Sequence, residues 1–186
     1  MNKRWRRLTE NEIRAARLIF SDGLDYTRIK IYRGLPFFPW HKQAVSPNGH
    51  IYFPAQHCPE DFTQAQANYH IWFIHEITHV WQYQNGYKTW LGGLITALRG
   101  GYFRQRCYRY PNPKKLSCIS QLNMEQQADF IAYYYAATHL NLPHLAPDLP
   151  AFQTALNNLF CNPGNKNLLP AYFYRNQQKH RQTKFN

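Results

Sequence analysis

The run His75-Glu76-Ile77-Thr78-His79, set inside the stretch 63–85 that holds no Pro or Gly, decides how this sequence folds and what chemistry it can carry. Thr63 with Gln66 fits a capping box at the start of that stretch, and Gly86 stands where a C-terminal cap belongs. The segment therefore reads as one long helix. Ile71, Phe73, Ile74, Ile77, Val80 and Trp81 cover more than a narrow stripe, so burial on most sides is expected. A spacing of four places both imidazoles on one helical face about one turn apart, and two ring nitrogens can then reach one ion. Glu76 projects beside that pair. It can take a proton from a water held at an open fourth position, which is the geometry that metal-assisted hydrolysis needs.

Chance alone, with nine His in 186 residues, yields this spacing on the order of once in a hundred such chains. A catalytic zinc takes a third protein ligand, and the choice is narrowed by composition. The chain holds ten Asp and Glu in all, and after Glu76 only Glu125, Asp129 and Asp148 remain. Glu125 and Asp129 lie four apart on a predicted helix, so one can bind the ion while the other holds a ligand imidazole from behind. Asp148 sits between two prolines in a loop. His139, His144, Cys107 and Cys118 stay open as alternatives. An oxyanion stabiliser is harder to name among 14 Tyr; Tyr83, one turn beyond His79, is the first candidate.

Outward from this helix, the remaining elements predict a mainly helical α+β fold in a single domain spanning 1–186. Its core covers about 9–161 and a basic tail about 162–186. Thr9 and Glu12 form a capping box ahead of an apolar stripe that Ser21-Asp22-Gly23 stops. Residues 27–32 and 50–53 read as two short strands that can pair in a small sheet or hairpin, with a Pro-rich loop between them. An apolar, Gly-interrupted segment covers 89–98. Ser120 or Asn123 can cap a helix running to about Asn141, and Asp148 with Leu149-Pro150 can start a short last helix ending near Cys161. The segment 50–53 is also a candidate edge for an extended peptide.

The formal charge of +12 arises from the shortage of acids, with basic residues gathered at 3–7, 99–115 and 166–184. Such patches suit an anionic surface, whether lipid headgroups or an acidic partner, and the interleaved apolar, Arg and Tyr residues of 90–115 make that segment the place to look. No spaced nucleic-acid motif is present. The stretch 9–17 carries Glu10, Glu12, Arg14 and Arg17 where a secretory signal needs an apolar run, and 90–98 is too short to span a bilayer. A cytoplasmic home, or export by a route without a cleaved signal, is the expectation. Cys58, Cys107, Cys118 and Cys161 show no Cys-x-x-Cys spacing and read as buried thiols, although Cys107 and Cys118 can close a loop in an oxidising compartment.

The His-x-x-x-His helix followed by Glu125-Gln126-Gln127-Ala128-Asp129 resembles the gluzincin type of zincin metallopeptidases. The longer metzincin pattern is absent, since Gln82 and Asn85 occupy its Gly and His positions. The gluzincin resemblance implies one zinc ion bound by His75, His79 and Glu125, with Asp129 steadying a metal-bound histidine, Glu76 as the catalytic residue and a peptide or protein substrate. The separation of the two motifs is longer than in thermolysin. A further resemblance, carried by 25–31, 50–53, His79-Val80-Trp81-Gln82 and 123–129, is to small bacterial Vgr-related domains associated with contractile injection systems. It covers roughly 22–141 and implies a zincin-like metallopeptidase fold.

Overall fold

A computed structural model describes residues 4–35, 42–109, 112–140 and 142–172. Residues Pro36 and Pro39 of the predicted loop, and most of the basic tail, lie outside the described residues. The fold is α+β and mainly helical, with five α-helices and a small sheet among the described residues.

The sheet has three strands in the order β1 (Trp5–Arg7), β2 (Lys30–Arg33), β3 (Ile51–Phe53). β1 runs antiparallel to β2, with Arg6 opposite Ile31, and β2 runs parallel to β3, with Ile31 opposite Ile51. The two strands read from sequence therefore do pair, but not as a hairpin, because a parallel pair requires the chain to cross back before the second strand. β1 escaped the reading because Trp-Arg-Arg has no apolar alternation. Lys30 instead lies over the Trp5 ring, 4.4 Å from its centre. The outer edge of β3 is not free for a peptide. Tyr52 exchanges both of its backbone bonds with Val45, at 3.0 and 3.1 Å, while β2 holds the other side.

Helix α1 (Glu10–Phe20) starts at the expected capping box of Thr9 and Glu12. Glu12 is fully buried, and its carboxylate accepts two bonds from Arg6, at 2.7 and 2.8 Å, and one from the Phe62 amide at 3.0 Å. A buried carboxylate is tolerated only when its lone pairs are filled in this way. One acid thus ties β1, α1 and the entry to the next helix together.

That next helix, α2, spans Ala67–Gln84, starting later than the capping-box reading placed it. Asp61 is the reason. Its carboxylate accepts from the Thr63 amide and hydroxyl and from Thr9 and Asn11, which holds 62–64 in a separate 3-10 turn. Gln66 is left as an N-cap without a side-chain bond. As expected, α2 is buried on most sides. Trp81 stacks on Phe20, with ring centres 5.8 Å apart, and donates its indole N–H to the Pro163 carbonyl at 2.7 Å.

After a short turn, α3 (Thr89–Leu98) packs where Gly92 allows it, since a β-carbon there would run into the Tyr87 hydroxyl and the Met124 sulfur. Helix α4 (Met124–His139) is capped by Asn123, one of the two residues proposed for that role, through a capping box with Gln126. α5 (Leu149–Cys161) covers its far side, with Phe152 edge-on to Phe130 at 4.6 Å. The face-to-face packing of α2 against α4 is the largest contact in the fold, and it brings residues 75–79 and 125–129 together.

Candidate metal centre

Local helix geometry supplies two corners of the site. His75 and His79, one turn apart on α2, approach with their Nε2 atoms 3.2 Å from each other. The third corner comes from the first turn of α4, where Glu125 Oε2 lies 3.3 Å from both of those nitrogens. Among the described residues this is the group of His, Cys, Asp and Glu whose ligand atoms converge on one point.

What lies behind the imidazoles decides which atoms face inward. His75 Nδ1 meets Asp129 Oδ1 at 2.8 Å, and His79 Nδ1 meets Gln82 Oε1 at 2.9 Å. Gln82 has no freedom to reverse, since its amide nitrogen donates to the Met124 carbonyl and to Gln127 Oε1. Gln127 is held in turn by the carbonyls of Ile119 and Leu168. Both Nδ1 atoms therefore carry the hydrogen, and both Nε2 lone pairs point at the carboxylate oxygen. Three acceptors then face one another with no hydrogen among them, an arrangement that calls for a cation.

A zinc ion fits that demand. Tetrahedral coordination with bonds of about 2.0–2.1 Å separates neighbouring ligand atoms by about 3.3–3.4 Å, and the three separations here are 3.2, 3.3 and 3.3 Å. In the metal-free chain a proton answers the same demand. Burial alone would lower the His75 pKa, but the hydrogen bonds to Asp129 and Glu125 and the field of Glu76 outweigh it and raise it to about 10. His79 is raised as well, with burial again opposed, chiefly by Glu125. Burial pushes Glu125 upward, yet the two histidines together hold it far below the usual carboxylate range.

Glu76 is buried beside the pair, and Ser46 Oγ donates to its Oε2 at 2.8 Å. Ser46 is itself fixed by Thr89, whose hydroxyl donates to the Ser46 carbonyl at 2.9 Å. All of these groups open on a cavity of about 860 Å³ whose wall includes Trp72, Trp90, Leu94, Tyr102 and Tyr108.

Tyr83 does not reach the cavity. Eight residues beyond His75 is a rotation of about 80° around the helix, and its ring lies against Gly49, where a β-carbon would stand 2.8 Å from a ring carbon. Tyr102 and Tyr108 line the cavity instead, and Tyr102 donates its hydroxyl to Glu125 Oε1 at 2.8 Å. Burial, then the nearby carboxylate, raises the Tyr102 pKa, so the hydroxyl stays a donor. Of the alternative third ligands, His139 lies against the Tyr135 ring, and burial pushes the Cys107 thiol up to about 12. Neither belongs to the converging group, nor do His144 and Cys118. All four cysteines are free thiols, and Cys161 is exposed rather than buried. Ser46 and Tyr102 carried no signal in the sequence, because each reaches the site from a loop through tertiary packing.

A mainly helical α+β domain with a convergent His-His-Glu cluster in a cavity is thus the class to which the molecule belongs. No protein-family model matches the chain. Over 134 residues, 70% of its length, it is 34% identical to the type VI secretion system spike protein VgrG2b of Pseudomonas aeruginosa, of which the matched stretch is 13%. The solved structure of the effector domain of P. aeruginosa VgrG2b is similar at a TM-score of 0.69 and 31% identity, covering 81% of this chain and 83% of that domain. The chain belongs to the family of the VgrG2b effector domain, which makes it a relative of a bacterial secretion-associated protein. Among the described residues no helix is long and apolar enough to cross a membrane.

Proposed function

We propose that this chain is a zinc-dependent hydrolase of the zincin type, acting on amide bonds of a peptide or protein. The observation that carries the reading is the pre-aligned triangle of His75, His79 and Glu125 with Glu76 buried beside it, all on one cavity. A zinc ion held by the three would act as a Lewis acid and make water easier to deprotonate.

The remaining work falls to the chain's own side chains. Glu76 accepts a proton from a water molecule in the cavity and returns it to the departing amine. Ser46 holds one Glu76 oxygen, which limits the carboxylate's freedom to swing away. Asp129 and Gln82 orient the imidazoles. Tyr102 occupies the second oxygen of Glu125, leaving Oε2 to face the histidines. The oxyanion donor sought at Tyr83 is better placed at Tyr108, which lines the cavity, because the Tyr102 hydroxyl is already committed to Glu125.

A second reading, an ion that only staples α2 to α4 in a secretion-associated binding domain, is favoured by the names of the relatives, which give a spike protein and an effector domain and no reaction. Against it, α2 and α4 are already joined by the Gln82–Gln127 bond and by the carbonyl of Met124. Metal content and peptide cleavage in the wild type and Glu76→Gln separate the two. The hydrolase reading expects zinc near one per chain in both proteins, with cleavage of a mixed peptide library lowered in the variant by about 10²- to 10⁴-fold. Full zinc content with equal or absent cleavage in both proteins leaves the staple.

A further inference from the structure

The segment after α2 presents a surface that the hydrolase reading does not use. Helix α3 turns Trp90, Leu94 and Leu98, spaced four apart, to solvent, with Trp90 53% and Leu98 78% exposed. Phe103 beyond it is 61% exposed, and the guanidinium groups of Arg104 and Arg106 lie over its ring at 5.3 and 5.8 Å. Lys88, Arg109, Lys114 and Lys115 are exposed along the same segment, and no Asp or Glu occurs anywhere between Glu76 and Glu125. An apolar helical stripe joined to arginines, in a stretch of chain that carries no acid of its own, matches the composition of elements that lie in the boundary of an anionic bilayer.

We propose that α3 and the loop through 109 form a docking surface for an anionic phospholipid bilayer. The apolar stripe enters the headgroup boundary while the arginines contact lipid phosphates. Trp90 and Leu94 belong both to this stripe and to the cavity wall, so docking sets the cavity mouth at the lipid surface. The charge decides the occupant. A protein partner would need an acidic complement to this surface, whereas an anionic bilayer offers apolar depth and negative charge together.

The test is sedimentation of the full chain with phosphatidylcholine vesicles carrying about one third phosphatidylglycerol, beside phosphatidylcholine alone, at low and high salt. Binding to the anionic vesicles that weakens with salt is expected. Leu98→Glu or Phe103→Glu should each lower it about tenfold or more, and Arg104→Gln with Arg106→Gln together about thirty-fold. Unchanged zinc content and melting temperature in these variants show that the fold is kept. Glu76→Gln should bind vesicles like the wild type, which keeps this result separate from the hydrolase reading. Equal sedimentation with neutral vesicles overturns the proposal. Binding to single-stranded nucleic acid that depends on the arginines and not on Leu98 or Phe103 overturns it too, as does a solution dimer that Leu98→Glu dissociates.

Discussion

Two parts of this molecule handle polarity in opposite ways. At the α2–α4 contact, buried His, Glu and Gln side chains are each held by a named partner, and the apolar residues around them are sealed. Along α3 and the loop after it, large apolar side chains stand in solvent beside exposed cations, and no carboxylate occurs in that stretch of sequence. Under the proposed function, the first pattern is that of a site built before its ligand arrives. The second is that of a surface completed by something outside the chain. Chain position contributes to the contrast, since three of the ten acids, Glu76, Glu125 and Asp129, gather at the candidate metal centre, and the segment between Glu76 and Glu125 holds none.

The largest effect is expected at Glu125. Glu125→Ala removes a corner of the triangle and leaves two histidines over a void, so zinc content after dialysis should fall from near one per chain to a small fraction, with cleavage lost. Metal analysis by mass spectrometry checks it. Unchanged occupancy would move the third ligand elsewhere and end the reading of this cluster.

A smaller effect is expected one step back. Asp129→Asn keeps the shape but weakens the hydrogen bond that orients His75, and zinc affinity should drop about 10- to 100-fold in competition with a chelator. No change would mean that packing alone holds the imidazole.

The smallest effect is set by protons. In the metal-free chain His75 titrates near 10 rather than 6.5, and its stabilising contribution is full below the unfolded value and lost as pH rises through the folded one. Glu125 is shifted the other way, so its contribution is present above the unfolded value of 4.5 and lost as pH falls through its lowered folded pKa. The zinc-free protein should therefore melt lower at pH 9 than at pH 6, by about 3 °C or more. The zinc-loaded protein should show less of this loss, and zinc uptake near neutral pH should release at least about one proton, measured by calorimetry in two buffers. A pH-independent metal-free melt would remove the charged-histidine account of the cluster.

What was legible in the sequence was whatever a single helix determines. The spacing of His75 and His79, the cap at Thr9 and the end of α2 ahead of Gly86 depend on neighbours three or four residues apart and stand in the structure as read, and Asn123 is the one of the two candidate caps that α4 uses. Glu125 and Asp129 could be singled out because so few acids remained, but their meeting with the histidines is a property of how α2 docks on α4. Tertiary structure alone decided the rest. The parallel pairing of β2 with β3, the delayed start of α2 under the pull of Asp61, the arrival of Ser46 and Tyr102 from loops and the exclusion of Tyr83 all depend on contacts between segments far apart in the chain. A helical repeat can be counted along a sequence. The direction from which a distant loop reaches a cavity is set by packing, which has no such period.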